Sequence, residues 1–417
     1  MNQILSQRST GSKGWPLVAL ASLLALFSLS TAQAGEMTAN WKDGLSLSDG
    51  EGTTLKIGGR IFSDWAFFHE DDDYRTSAEP IADGTEFRTT RLFASGTLGG
   101  VVEYKSQIDF AKDSNELKDM YLGLKRIPGT EVGVRIGRFK QPFSLEELDS
   151  GRFITFMERS VTAAFAPSRQ SGLMLHGGFQ DDRGTLAASV YRETNSHGKQ
   201  QADGQYSFAG RLTFLPWIDE DRDGMLHVGA AVTHRNDGDS VELGLEPEAH
   251  LQPDYTNVDG DGLLLDADSW TLVGLESAVV VGRFSAQGEY LMISTAGAGG
   301  AEDGSFSSYY VQGSVFLTGE VRPYKKSAAT FSRVKPKDPM TAEGGHGALE
   351  LAVRVSNADL NDGDYAGGTL DAVTVGANWY LQNNTRVMLN WVRTDGDVEG
   401  GSQGVTQAIQ ARFQVDF

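Results

Sequence analysis

From residue 54 onward the chain keeps returning to one pattern, apolar and polar side chains in alternation over runs bounded by Gly, Asp and Asn. A period of two puts successive side chains on opposite faces of an extended backbone, so each run reads as a half-apolar β-strand. Leu55, Ile57, Ile61, Trp65 and Phe67 share one face; Lys56, Gly58, Arg60 and Asp64 share the other. Val102, Tyr104, Ile108 and Phe110 alternate with Glu103, Lys105, Gln107 and Asp109, and Leu349, Leu351, Val353 and Val355 with Glu350, Ala352, Arg354 and Ser356. The last eleven residues, QAIQARFQVDF, alternate to the final position, with Ile409, Ala411, Phe413, Val415 and Phe417 on the apolar face. Sixteen strands are predicted: 54–69, 85–98, 101–110, 117–126, 130–139, 171–180, 184–193, 205–216, 225–236, 269–280, 282–293, 307–319, 347–357, 369–382, 385–395 and 406–417.

The connections carry a second pattern. Links after strands 2, 4, 6, 10 and 14 are very short, as at Gly99-Gly100 and Asn383-Asn384. Those after strands 3 and 15 are longer, and those after 1, 5, 7, 9, 11 and 13 longer still. An up-and-down barrel of the bacterial outer membrane has this asymmetry, with short periplasmic turns and long external loops. Two links on the short side, 217–224 and 320–346, break the rule. A soluble β-sandwich would also alternate, but its outer faces would be wet. Here the apolar face carries Trp65, Phe67, Tyr104, Trp379 and Trp391 near strand ends, where barrels keep their aromatic girdles. The expected fold is therefore all-β, a sixteen-stranded antiparallel up-and-down transmembrane β-barrel. Closure also explains the unfrayed final strand, which must pair with the first.

The beginning of the chain differs in kind. Arg8 and Lys13 precede an apolar run from Leu17 to Leu29, and Ala32-Gln33-Ala34 is a small-residue cleavage site. The expectation is a secretory signal over 1–34, a mature N-terminus at Gly35, a periplasmic segment over 35–53 and the barrel over 54–417. The apolar run is too short for a membrane-spanning helix, which needs about 20 residues. The 417 residues carry a formal charge of −20, a poor match to nucleic acid. Zero cysteines exclude a disulfide scaffold and thiolate metal sites.

The stretch VGVRIGRFKQPFSLEELDSGRFITFMERSVTAAFAPSRQSG, from Val132 to Gly172, resembles the phosphate-selective porins O and P. IGGRIFSDWAFF around Arg60 is similar to that family's first strand and FRTTRLFASG around Arg88 and Arg91 to its second. VQGSVFLTGEVRPYKK and HGALELAVRVSNADL are similar to later strands, so the likeness covers most of the chain. It implies a trimeric sixteen-stranded outer-membrane channel for small anions such as phosphate, in contact with outer-membrane lipid and lipopolysaccharide. It implies no enzyme activity and no cofactor. The terminal aromatic also resembles the assembly signal of bacterial outer-membrane proteins.

Residues 140–170 are too apolar for a solvated loop, holding Phe143, Leu145, Leu148, Phe153, Ile154, Phe156 and Phe165. Folded against the inner wall they would narrow a lumen that sixteen strands otherwise leave open. Arg135, Arg138, Lys140, Arg152, Arg159 and Arg169 give this region a basic excess. Alternation points Arg60, Arg211, Arg235 and Arg354 inward. Arg88 and Arg91 are three apart, so a regular strand cannot aim both inward without a bulge. The family resemblance favours Arg60, Arg88, Lys140 and Arg152 as anion-pathway lining, with Arg211 and Arg235 added by alternation. Thr89 stands where the family often has a further Arg, a departure that bears on phosphate selectivity.

Other features pull elsewhere. Link 237–268 holds ten Asp or Glu and no Lys or Arg, and link 70–84 holds six acids with only Arg75. An acidic mouth repels anions over about one Debye length, which keeps a general or cation-preferring porin open. Acidic loops also suit divalent cations bridging lipopolysaccharide, or solvation alone. A barrel hydrolase or a surface adhesin without an open pore is the alternative outside the channel class. DEDRDG at 219–224 and NVDGDG at 257–262 mimic calcium loops, but Ala230 stands where the first would need its terminal Glu. GAGG at 297–300 has no following helix to make it a phosphate cradle. No zinc spacing, nucleophile elbow or triad is present. The basic run from Arg322 to Lys337 lies in the unexplained link 320–346.

Overall fold

The alternating runs become sixteen strands of one closed antiparallel barrel. The computed structural model describes residues 37–417 apart from 42, 112–114, 202–203, 237–240, 257–261, 298–300 and 364. The expected leader, its cleavage point and most of NVDGDG and GAGG lie outside the described residues. The strands are β1 (Thr54–Glu70), β2 (Gly84–Leu98), β3 (Val102–Asp109), β4 (Glu116–Leu124), β5 (Val132–Lys140) and β6 (Arg169–Phe179). Then follow β7 (Gly184–Arg192), β8 (Ser207–Asp219), β9 (Gly224–Arg235), β10 (Ala267–Val281) and β11 (Phe284–Gly297). The wall is completed by β12 (Gly304–Phe316), β13 (Ala348–Asp362), β14 (Tyr365–Gln382), β15 (Thr385–Asp397) and β16 (Gln403–Asp416). Each strand pairs with its neighbour in sequence, and β16 pairs with β1 from Thr406↔Glu70 to Asp416↔Arg60. Closure leaves no backbone edge facing lipid, the condition for crossing a bilayer with strands.

Faces divide as the alternation requires. Ile61, Trp65, Phe67, Val353, Val355, Ile409 and Phe413 stand exposed on the outside, while Arg60, Asp64, Arg354, Gln410, Arg412 and Gln414 are buried within. Apolar outside and polar inside is the reverse of a soluble protein, and it fits a wall whose solvent is hydrocarbon. Before β1, strands Thr38–Trp41 and Leu45–Ser48 form a hairpin, and the second of them pairs with the start of β1.

Two links differ from expectation, and a third keeps its exceptional length for a structural reason. The exception at 217–224 disappears, because β8 continues to Asp219 and β9 starts at Gly224. The link after β13 is not long, since β13 and β14 extend to leave only 363–364 between them. The link 317–347 remains long on the short side, and its reason is that it folds into the barrel. Asp359, Asn361 and Asp362 are polar residues that still pair in the β13–β14 ladder, which carries a register shift between Asp359 and Asn361. Polarity at that end had hidden the strands.

A bulge settles the orientation of Arg88 and Arg91. Along β1 and β2, Phe62 pairs with Thr89 but Asp64 pairs with Glu86, so β2 carries one extra residue. An extra residue turns the side chains beyond it through one strand position. Arg88, Thr89 and Arg91 can therefore all line the lumen, and they do. The β3–β4 pair repeats the device: Ser106 faces Met120 but Ile108 faces Leu117, and both Lys118 and Asp119 turn inward.

The seam between first and last strands depends on small residues. Gly59 N–H donates to the Phe417 carbonyl at 2.6 Å, and Phe417 N–H donates back to the Gly59 carbonyl at 3.0 Å. A Cβ on Gly58 would lie 2.3 Å from the Phe417 carbonyl oxygen. Gly58→Ala should therefore weaken the seam by about 1–3 kcal/mol, the usual cost of overpacking. Gly210→Ala, whose Cβ would meet nothing closer than the Ala187 oxygen at 3.8 Å, should be tolerated. The temperature at which the compact, fast-running gel band converts to full apparent mass checks this: it should fall for Gly58→Ala only.

Candidate functional site: a basic passage beside a docked loop

The site begins where β5 stops. Pro142 cannot donate to a ladder, and Gln141 takes over, its side chain bonded to the Phe139 and Gln170 carbonyls and to Ser189. Ser144, at φ 63°, turns the chain inward and caps a one-turn helix, Leu145–Leu148, by accepting from Glu147 N–H at 3.1 Å. Phe143, Leu145, Ile154, Phe156, Met157, Val161 and Phe165 are all buried. The apolar loop thus packs against the inner wall, as its composition required.

Wall side chains hold it there. Glu289 on β11 accepts from the N–H groups of Leu145 and Glu146 at 3.0 and 2.7 Å. Arg354 on β13 reaches Glu146 at 3.1 Å and the Glu158 carbonyl at 3.1 Å. Asn378 donates to Thr155, Arg386 to Ile154 and Arg412 to Met157, each at the backbone carbonyl. Two further segments fill the same half of the lumen. Residues 241–256 enter from the long-link end, with Glu248 against Arg354 at 2.6 Å and Gln252 on Thr406. The 317–347 link enters from the other end: Phe331 N–H donates to Asp149 at 2.8 Å, Arg322 donates to Gln287 at 2.6 Å, and Tyr324 meets His227 at 2.7 Å. Under them lie inward apolar wall residues, among them Leu272, Leu291, Ile293 and Leu370. The barrel therefore contains a hydrophobic core inside its lumen.

What stays open is a passage along β1–β6, about 470 Å³ in volume. Its lining holds ten Lys and Arg against five Asp and Glu, in a chain whose net charge is −20. Most of the cations are engaged. Arg91 holds Asp109 at 2.5 Å, Arg169 holds Asp119 at 2.7 Å beside Lys105, and Arg412 holds both Asp64 and Glu158. In the constriction loop, burial works against the Glu147 carboxylate, but Arg159, Lys140 and Arg169 outweigh it and hold it down to about 2. Glu158 is treated alike: burial opposes its charge, and Arg88 with Arg412 keeps it well below the usual carboxylate range. Asp149 is the opposite case, pushed up to about 6 by burial despite Arg322.

The six expected residues separate into groups. Arg60, Arg88, Lys140 and Arg152 all border the passage. Arg88 forks onto Glu158 with both contacts at 3.0 Å. Lys140 is tied to the Glu147 and Asp149 carbonyls, so it braces the loop as much as it faces the passage. Arg60 has no carboxylate partner among the described residues; it donates to Ser150 Oγ at 3.4 Å, and its buried Nε has no partner. Directly across the ladder from it stands Arg91, a like charge. Arg152 donates to the same Ser150 Oγ at 3.4 Å, and its carboxylate contact, Asp416 at 3.7 Å, is loose. Arg211 and Arg235 point inward but lie away from the passage. Arg211 forks onto Glu276 and donates to the Ala329 carbonyl, anchoring the 317–347 segment. Arg235 pairs with Glu193 at 2.8 Å and stacks on Trp270. Lys105 and Arg412 were visible on polar strand faces; Lys118 was not, because a bulge aims it.

Arg354→Met keeps the side chain's volume but leaves Glu146 and Glu248 buried without their shared guanidinium, a loss of about 3–5 kcal/mol. The strand ladder is untouched, so barrels should assemble normally. Single-channel recordings should show higher and noisier conductance; wild-type traces would mean the loop does not need this clamp.

Comparison with known proteins places this geometry. The family model described as "Phosphate-selective porin O and P" matches residues 55–417. Porin O of Pseudomonas aeruginosa is 26% identical over 91% of this chain and 93% of its own. Among solved structures, the outer membrane channel DcaP of Acinetobacter baumannii superposes with a TM-score of 0.55 at 11% identity, covering 88% of this chain and 98% of that one. An anion-selective porin from Comamonas acidovorans gives 0.54 at 13% identity, covering 88% and 100%. At such identities these two speak for the fold alone.

Proposed function

The chain belongs to the phosphate-selective porin O and P family, and from that premise we propose that its outer-membrane channel passes small anions of the phosphate class over a cradle formed by Arg60, Ser150 and Arg152. The observation that carries this is the pair of guanidinium groups left without a close carboxylate. Arg60 and Arg152 converge on one serine hydroxyl through 3.4 Å contacts, long for hydrogen bonds to a single acceptor. A buried guanidinium beside Arg91 and without a counter-ion is costly, and a passing anion supplies the missing charge. Arg88, Arg91, Lys105 and Lys140 are the supporting lining; their carboxylate and carbonyl partners keep the site weak enough for release.

The same reading covers the surroundings. The leader is removed before Gly35, and the short links, with the 317–347 segment, face the periplasm. The acidic external loops meet lipopolysaccharide. We place a homotrimer contact on β3–β5, strands of eight or nine residues against eighteen in β14. This low wall carries an outward apolar groove of about 450 Å³ lined by Tyr104, Met120, Leu122 and Ile136.

At ~5 Å and an effective dielectric of about 40, one unit charge is worth roughly 1–2 kcal/mol to a passing ion. Arg60→Gln with Arg152→Gln should therefore lower the anion-to-cation permeability ratio several-fold in a low-salt gradient, and less at high salt. A double variant with the wild-type reversal potential would remove the cradle from the anion path.

A further inference from the structure

Residues 241–256, which fold in from the long-link end, border the passage through Glu246 and His250. The segment buries Leu245 and Ala249, seats Gln252 and Tyr255 on β16, and meets the wall at β2. There His250 Nδ1 meets Glu86 Oε1 at 2.7 Å. His250 lines both the basic passage and a vestibule of about 210 Å³ above the constriction loop, and it is the one histidine in either lining among the described residues. The charged groups that line the vestibule with it, or pair with it, are Glu86 and Arg88 on β2, Glu147, Glu158 and Arg159 on the constriction loop, and Glu246 and Asp254 on its own segment.

We propose that His250 is a specificity-determining residue whose protonation adds a positive charge at the mouth of the passage and so makes the channel more anion-selective as the medium becomes acidic. The inference rests on the anion-channel reading above and adds a proton-dependent term to it. In the neutral ring the carboxylate of Glu86 accepts the Nδ1 proton, which leaves Nε2 as the atom that takes up a further one. No other chemistry is needed: one proton from the medium binds Nε2, and the ring becomes a cation. Imidazole is the side chain whose ordinary titration falls between about pH 5 and 8. The carboxylates around it matter for the sign. At high pH, Glu86, Glu147, Glu158, Glu246 and Asp254 outnumber Arg88 and Arg159; the added proton moves this group toward balance, so the barrier that an acidic mouth sets against an anion falls. Glu158 stays charged throughout, since Arg88 and Arg412 hold it.

The test is the reversal potential of the purified full-length porin in planar bilayers under a low-salt potassium chloride gradient, at a series of pH values from about 8 to about 5.5. Wild type should be anion-selective throughout, with the chloride-to-potassium permeability ratio rising about threefold toward acid, the size expected for one charge several ångströms from the ion path. His250→Gln should stay at the low, high-pH ratio, and His250→Lys should hold the high ratio at every pH. A His250→Gln channel that keeps the wild-type slope would assign it to another group, with buried Asp149 first in line, and would overturn the proposal. So would a wild type that is anion-selective but flat with pH. A wild type selective for potassium at every pH would instead bring down the anion-channel reading itself.

Discussion

One buried guanidinium, Arg354, holds three pieces of chain at once. It reaches from β13 to Glu146 at the start of the constriction loop, to the Glu158 carbonyl near its end, and to Glu248 on the segment that crosses above. The narrowing of the lumen depends on contacts of this kind. A sixteen-stranded barrel encloses a wide aqueous hole, and a wide hole distinguishes ions poorly. The strands supply a rigid ring; charged side chains on its inner face then pin loops against one half of the lumen and leave a narrow path along the other. Buried ion pairs add little net stability, because desolvation offsets the attraction. Their value here is geometric, since they fix which way the loops go. Apolar packing of Val161, Phe165, Leu243 and Tyr255 over inward Leu272, Leu291 and Leu370 supplies the adhesion.

The passage is then an electrostatic device. The chain as a whole is strongly acidic, yet the open half of its lumen is basic. Fixed carboxylates such as Asp109 and Asp119 position the arginines and lower their net pull, so a passing ion is attracted without being trapped. Among the described residues Arg60 has no carboxylate partner, and Arg152 has only Asp416 at 3.7 Å. The acidic external loops oppose anions only within about a Debye length, and salt screens them more than it screens the enclosed passage.

Strand number, faces and closure were legible in the chain because hydrocarbon outside and water inside impose a period of two on every crossing segment. The inward turn of residues 140–170 was legible too, from its excess of Phe and Leu. The partners of the lumen cations were not. Arg60 and Arg211 look alike by alternation; only the fold brings Glu276 to Arg211 and, among the described residues, no ion-pairing acid to Arg60. Local period carries no information about residues a hundred positions away. Bulges are a second limit: one added residue in β2 and one in β4 turned Arg88 and Lys118 inward against the simple alternation. The 317–347 segment was the third, because its docking groups, Arg322, Tyr324 and Phe331, read as an ordinary polar and basic link until Asp149, Gln287 and His227 are placed opposite them.

The central claim is that a docked loop and a basic wall together make the open path favour negative ions despite an acidic exterior. The sign of the zero-current potential of the wild-type channel, in a tenfold potassium chloride gradient at neutral pH and low ionic strength, tests that most directly. A potential of the anion-selective sign is expected, weakening as total salt is raised. A potential of the cation-selective sign would contradict it and would make the acidic mouth, not the arginine-lined passage, the filter.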